Sequence, residues 1–241
     1  MNMWNGFKCE EFEFEGKKAV VVFPDDSVKT GKWMFKTEYF GAFPELEIEL
    51  LKKGFHLAFV ANTNRWGLRE DLERKARFAD YITEKYGLEE KCVPIGMSCG
   101  GLFAIKFASL YPQKVTLLYL DAPVVNLLSC PARLGIKYEQ QIAPEEMYKA
   151  LGLNASTLLS YRDHPLDHLP NLIKNRIPAV LVYGDSDRTV YFGENAALVE
   201  QAYEGTGIPF KSIIKHGGDH HPHGLEDNTV VVDYILKNAY L

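Results

Sequence analysis

Apolar and polar positions change period several times along the 241-residue chain. Phe12 and Phe14 alternate with acidic residues, the mark of a half-exposed strand, and Gly16 turns the chain. Residues 19–23 are a continuous, β-branched run and predict a buried strand. A loop with Pro24, Asp25, Asp26 and Gly31 leads into an aromatic stretch containing Trp33, Phe35, Tyr39, Phe40 and Phe43. Residues 44–53 fit either period; Pro44 before them and Gly54 after them favour a helix. Residues 55–61 predict a strand. Residues 69–86 predict an amphipathic helix with Leu72, Ala76, Ala79, Ile82 and Tyr86 on one face and Gly87 as its cap.

The same alternation continues downstream. Strands are predicted at 92–95, 115–120, 178–183 and 210–214, and helices at 102–111, 194–203 and 227–238. Buried strands alternating with helices predict an α/β fold, a mostly parallel central sheet with helices on both faces. Residues 123–176 interrupt the alternation and carry Pro123, Pro131, Pro144, Pro165 and Pro170. We read the chain as a single domain over 1–241 with a small cap inserted at 124–172.

Composition narrows the class little. A net charge of −5 and a pI near 5.8 leave no strong basic field for nucleic acid. The four cysteines, Cys9, Cys92, Cys99 and Cys130, show no CxxC spacing. No basic stretch followed by an apolar run opens the chain, and no apolar run approaches membrane-spanning length. A cytoplasmic protein contacting neither membrane nor nucleic acid is expected.

Candidate chemistry is concentrated in three loops. Gly96-Met97-Ser98-Cys99-Gly100-Gly101 lies between a predicted strand and a predicted helix. A tight turn there would lift the Ser98 hydroxyl above the sheet, facing the amide-rich helix N-terminus. Gly184-Asp185-Ser186-Asp187-Arg188-Thr189-Val190 follows the strand at 178–183. His216-Gly217-Gly218-Asp219-His220-His221-Pro222-His223 follows the strand at 210–214. Each group sits where a parallel strand ends, the edge at which open α/β sheets place their sites.

This Ser, Asp, His order resembles the α/β-hydrolases, and the resemblance covers nearly the whole chain. More narrowly, the chain is similar to bacterial members of the esterase and prolyl-oligopeptidase-like branch. The likeness is carried by Trp33-Met34-Phe35-Lys36, Leu51-Lys52-Lys53-Gly54-Phe55-His56, the double-Gly elbow and Asp121-Ala122-Pro123. It continues in Gly184-Asp185-Ser186-Asp187, Glu194-Asn195 and the His220-His221-Pro222-His223-Gly224-Leu225 segment. Cys99 is a departure, because these elbows often carry Arg after the Ser.

The resemblance implies Ser98 as nucleophile. His220 is favoured as base, with His221 a close rival one residue along, while His216 reads as structural and His223 as a pocket residue. Asp187 is favoured as the orienting acid over Asp121, and Asp185 reads as a turn residue. The Cys99 amide would be one oxyanion donor. The second is sought in the loop from Pro24 onward, at Asp25, Asp26 or backbone near Trp33. Trp33, Asp121 and His221 are candidate substrate contacts, although Trp33 and Phe35 could equally pack the core. Within the cap, Tyr138, Tyr148, Tyr161, His164 and His168 would form a mixed polar and aromatic lining. The cluster Asp219, His220, His221 and His223 invites a metal reading, since His-x-His spacing can ligate zinc. No Cys or acidic ligand set recurs elsewhere and the base reading uses one histidine, so no metal and no cofactor are expected. The expected function is a serine esterase acting on a small-molecule ester with a short acyl chain, on a carbohydrate or other polar alcohol. A peptidase or amidase of the same fold and a non-catalytic binding protein are the alternatives.

Overall fold

A computed structural model describes residues 2–136 and 142–240. The chain opens with three antiparallel strands, β1 (Asn2–Trp4), β2 (Phe7–Phe14) and β3 (Lys17–Val22). Then follow β4 (Trp33–Lys36), α1 (Glu45–Lys52), β5 (His56–Val60), α2 (Arg69–Tyr86), β6 (Val93–Met97), α3 (Cys99–Leu110) and β7 (Leu118–Asp121). After β7 come three helices, α4 (Pro144–Leu151), α5 (Ala155–Leu158) and α6 (Pro165–Lys174). The chain closes with β8 (Ala179–Gly184), α7 (Ala196–Tyr203), β9 (Phe210–Lys215) and α8 (Thr229–Asn238).

The strands form one sheet in the order β1-β2-β3-β5-β4-β6-β7-β8-β9. Strands β4 to β9 are mutually parallel, and β3 runs antiparallel to β5. The period of two assigns side chains to faces. In β8, Ala179, Leu181 and Tyr183 join the core beneath α2, α3, α6 and α7, whereas Val180 and Val182 join the core beneath α1 and α8. Burial on both faces explains why these strands read as continuous apolar runs.

Two departures from the sequence reading matter for the site. The aromatic stretch at 33–36 is a fully buried strand in mid-sheet, placed between β5 and β6. It went unread because four residues carry too little periodicity. The insertion after β7 also divides. Its last helix, α6, packs on α3 and α7, and its Leu169 and Leu172 belong to the main core. Residues 165–174 therefore cover the sheet face as a crossover helix, and the irregular part of the insertion lies before them.

Candidate active site

The parallel strands point their carboxyl ends to one edge, and β6 delivers Ser98 there. Gly96, two residues earlier, has no room for a side chain: a Cβ would lie 2.4 Å from the Gly100 carbonyl oxygen. At Gly101 it would lie 2.4 Å from Cβ of Pro123. Ser98 takes φ of 52°, a conformation disfavoured for L residues. Its backbone over-determines that strain. The Ser98 amide donates to the Asp121 carbonyl at 2.9 Å, and its carbonyl accepts from Gly101 at 2.9 Å and Val124 at 3.0 Å.

The Ser98 hydroxyl lies 3.1 Å from His220 Nε2, and His220 Nδ1 lies 2.7 Å from Asp187 Oδ2. All three residues are buried. The second Asp187 oxygen accepts from the amides of Thr189 at 2.8 Å and Val190 at 2.7 Å, so the carboxylate is fixed by its own loop. The two loops are also locked together. Asp219 accepts from the Arg188 side chain and from the amides of Arg188 and His220. The Arg188 amide, against a small opposing effect of burial, holds the Asp219 carboxyl down at about 2, with the His220 amide and the Arg188 side chain adding. Gly184 lets the loops touch, since a Cβ there would lie 2.1 Å from the Gly218 carbonyl oxygen.

The other histidines separate clearly. His216 is exposed and pairs with Asp185 at 2.9 Å, away from Ser98. His223 Nδ1 bonds Asp121 at 2.9 Å, with both groups buried. Burial pushes the Asp121 carboxyl up, but the His223 hydrogen bond, its charge, Lys215 and the Gly224 amide outweigh this and hold it below the ordinary value. His221 is exposed and stacks on Phe43, with centroids 5.5 Å apart and planes at 10°. Its imidazolium is disfavoured by partial burial and then by His220 and His223. The rings of His220, His221 and His223 form a triangle with centroid separations of 4.8, 4.8 and 4.9 Å.

These groups open into a cavity of about 340 Å³, within the range of small-molecule sites. Tyr39, Phe43, Arg65, Ile142 and Thr189 complete much of its wall. Tyr39 has φ of 55° on the loop after β4. Burial, followed by the neighbouring Cys99, raises its hydroxyl far above the ordinary range, so it keeps its proton. Arg65 is held by Glu146 of α4. Cys99 begins α3 with a buried side chain, and burial pushes its thiol up to about 11, which removes it as a nucleophile at neutral pH. Its amide is among the first N–H groups of the helix, which have no partner within it.

Several expected contacts fall elsewhere. Asp25 is exposed at the opposite edge of the sheet. The cause is strand direction: β3 is antiparallel, Val22 pairs with Leu57 at the start of β5, and the loop after β3 leaves from the wrong end. The loop after β4 does reach the Ser98 edge, where Tyr39 lines the cavity beside Ser98. Trp33 begins β4 and is wholly buried, and its indole donates to the Glu89 carbonyl at 2.8 Å. It lies at the far edge, behind a separate cleft of about 720 Å³ that includes Lys32, Glu89 and Tyr240. Asp121 does not line the cavity; it stands behind His223.

Within the insertion, Tyr138 lies outside the described residues. Tyr161, His164 and His168 are engaged elsewhere. His168 bridges Ser109 at 2.9 Å and Asp163 at 2.6 Å, and Lys106 and the Tyr161 hydroxyl also bond Asp163. This second Ser-His-Asp arrangement joins α6 to α3. His164 accepts from the Leu127 amide at 3.3 Å. Tyr148 packs against the core. The Glu194-Asn195 pair grips the start of the insertion. Asn195 accepts from the amides of Val125 at 2.9 Å and Asn126 at 3.0 Å, and Glu194 accepts from the Ser129 hydroxyl at 2.6 Å.

No protein-family model matches the chain, and no curated protein matches it by sequence. Solved structures match it by shape. A puromycin hydrolase superposes with a TM-score of 0.69 at 17% identity, covering 95% of this chain and 37% of that one. The acylaminoacyl peptidase of Pyrococcus horikoshii gives 0.69 at 16% identity, covering 89% and 38%. A Bacteroides ovatus protein assigned as a dipeptidyl aminopeptidase IV gives 0.71 at 12% identity, covering 96% and 36%. The chain spans less than two fifths of the length of these structures. It shares the α/β-hydrolase fold with these structures. No described helix is long and apolar enough to cross a membrane.

Proposed function

We propose that the chain is a serine hydrolase that cleaves an acyl bond through a covalent intermediate on Ser98. The observation carrying this reading is the buried relay from Ser98 through His220 to Asp187, at 3.1 and 2.7 Å, opening on a cavity. In this reading Ser98 Oγ attacks the carbonyl carbon while His220 Nε2 takes its proton. Asp187 holds the imidazole in the tautomer that makes this possible. His220 then protonates the leaving group, and water releases the acyl group by the same route.

The Cys99 amide supports the oxyanion as one donor. Tyr39 is assigned the second, because its loop follows β4, its side chain lines the cavity and its hydroxyl keeps its proton. The cavity suits a small substrate, and Arg65 adds a cation to its wall.

Two structural neighbours are named as an acylaminoacyl peptidase and a dipeptidyl aminopeptidase. Their names favour an amide bond in a short peptide or acylated amino acid over the carboxylic ester suggested by the sequence. Leaving-group chemistry separates the two. An amine must be protonated to depart, whereas an alcohol leaves more readily, so a site that turns over amides also turns over esters.

A fluorophosphonate probe should label the folded protein at Ser98 and leave Ser98→Ala unlabelled. Parallel aminoacyl-amide and short-chain ester panels then assign the bond. Turnover of esters alone returns the reading to an esterase. Absence of labelling leaves a non-catalytic binding protein.

A further inference from the structure

We propose that His220, His221 and His223 form a binding site for one divalent transition-metal ion, with Zn²⁺ as the probe, and that an ion seated there switches the hydrolytic site off. One nitrogen of each ring lies within 4.8 Å of the others. Tetrahedral zinc with Zn–N bonds of about 2.0–2.1 Å places its ligand nitrogens about 3.3 Å apart, so the rings need to close by at most about 1.5 Å. His221 is the exposed member of the three, and outside the triangle its only ring contact among the described residues is the stack on Phe43.

Two of the three rings already carry a carboxylate on Nδ1, which leaves Nε2 as the nitrogen each could offer a metal. His220 Nδ1 is bonded to Asp187 at 2.7 Å and His223 Nδ1 to Asp121 at 2.9 Å. A carboxylate that accepts from Nδ1–H fixes the tautomer, leaves the lone pair on Nε2 and makes it more basic. Histidine ligands of metal sites are commonly supported this way. Asp121, which the hydrolytic mechanism does not use, thereby gains a role. Three imidazoles with an open fourth position suit zinc, whereas Mg²⁺ prefers an all-oxygen octahedron. In sequence, Asp219, His220, His221 and His223 lie side by side; the structure brings one nitrogen of each histidine together and leaves Asp219 bonded to Arg188.

The ion would not be a catalytic metal. The lone pair on His220 Nε2 that would bind it is the same one that accepts the Ser98 proton, so coordination and proton transfer exclude each other. The inhibitory consequence rests on the serine hydrolase reading, whereas the metal site does not.

Calorimetry of untagged, full-length Ser98→Ala protein with zinc chloride tests the site without hydrolytic chemistry. One ion per chain is expected. His221→Ala and His223→Gln, each made in that background, should weaken binding tenfold or more while circular dichroism stays unchanged. Excess Mg²⁺ should not compete. Absence of binding, or binding unaltered in both variants, overturns the site. In the wild-type chain, Zn²⁺ should slow fluorophosphonate labelling with a midpoint matching the calorimetric Kd. Binding without slower labelling overturns the switch, whereas no labelling in metal-free buffer overturns the hydrolase reading and leaves the metal site standing.

Discussion

Replacing Asp187 by Asn tests the relay at its least replaceable atom. Oδ1 of Asp187 accepts two backbone amides, from Thr189 at 2.8 Å and Val190 at 2.7 Å, and Oδ2 accepts from His220 Nδ1 at 2.7 Å. An Asn side chain can satisfy both amides only by placing its carbonyl oxygen where Oδ1 stands. Its NH₂ group then faces His220 Nδ1. A donor facing that nitrogen forces it to act as an acceptor, which moves the ring proton to Nε2, opposite Ser98. The imidazole is then the wrong tautomer to accept the hydroxyl proton. The analogous change in a Ser-His-Asp protease lowers kcat about 10⁴-fold with the geometry intact, equivalent to about 5.4 kcal/mol in the barrier. A similar loss in kcat/KM on p-nitrophenyl acetate is expected here. Because both amide bonds survive, the melting temperature should fall by only about 2–4 °C for each kcal/mol lost with the charge. The wild type and both carboxamide variants, Asp187→Asn and Asp121→Asn, should be assayed together. An Asp187→Asn enzyme within tenfold of wild type, beside an Asp121→Asn enzyme disabled a thousandfold, would refute the assignment and move the acid to Asp121.

Two further predictions concern the loops that hold the relay. Gly184→Ala puts a Cβ 2.1 Å from the Gly218 carbonyl and should cost about 1–3 kcal/mol, read as a fall in Tm of roughly 2–12 °C. The Asp219 carboxyl sits at about 2 in the folded chain, below its unfolded value of about 3.9, so its stabilisation is complete above pH about 4 and is lost as pH falls through 2. The drop in urea midpoint from pH 5 to pH 2.5 should therefore be smaller for Asp219→Asn than for the wild type.

Much of the sheet was legible because each buried strand is a short apolar run and each long helix carries a stripe. The elbow was legible because its glycines answer to steric demands visible as a motif. Strand direction was not legible. Nothing in Ala19–Val22 says that β3 runs against its neighbours, so the loop expected to face Ser98 was sought at the end of a strand that leaves from the opposite edge. Nor does local sequence distinguish His220 from His221. Both follow the same Gly-Gly-Asp, and only the path of the turn decides which ring reaches Ser98 and which stacks on Phe43. Trp33 misled for a related reason, since an aromatic beside a loop reads the same whether it faces a substrate or a core. The cap tyrosines and histidines showed composition only. Their partners Ser109, Lys106 and Asp163 are distant in sequence from some of them, and pairing across helices leaves no mark in one chain.

The insertion leaves and rejoins the sheet through a narrow neck. The Leu166 amide donates to the Val125 carbonyl at 2.9 Å and the Leu127 amide to His164, while Asn195 holds the strand-side end. The neck closes a ring of chain, and the ring is itself anchored: Cys130, Met147 and Leu158 are buried in the main core, Ile142 lines the cavity, and Asp163 ties α6 to α3. A library confined to exposed positions of the ring, such as Leu159, and leaving these anchors untouched should keep the fold and leave fluorophosphonate labelling of Ser98 unchanged. Asn195 is thus one of several pins, with Glu194, His164 and Asp163, that fix the insertion to the rest of the fold.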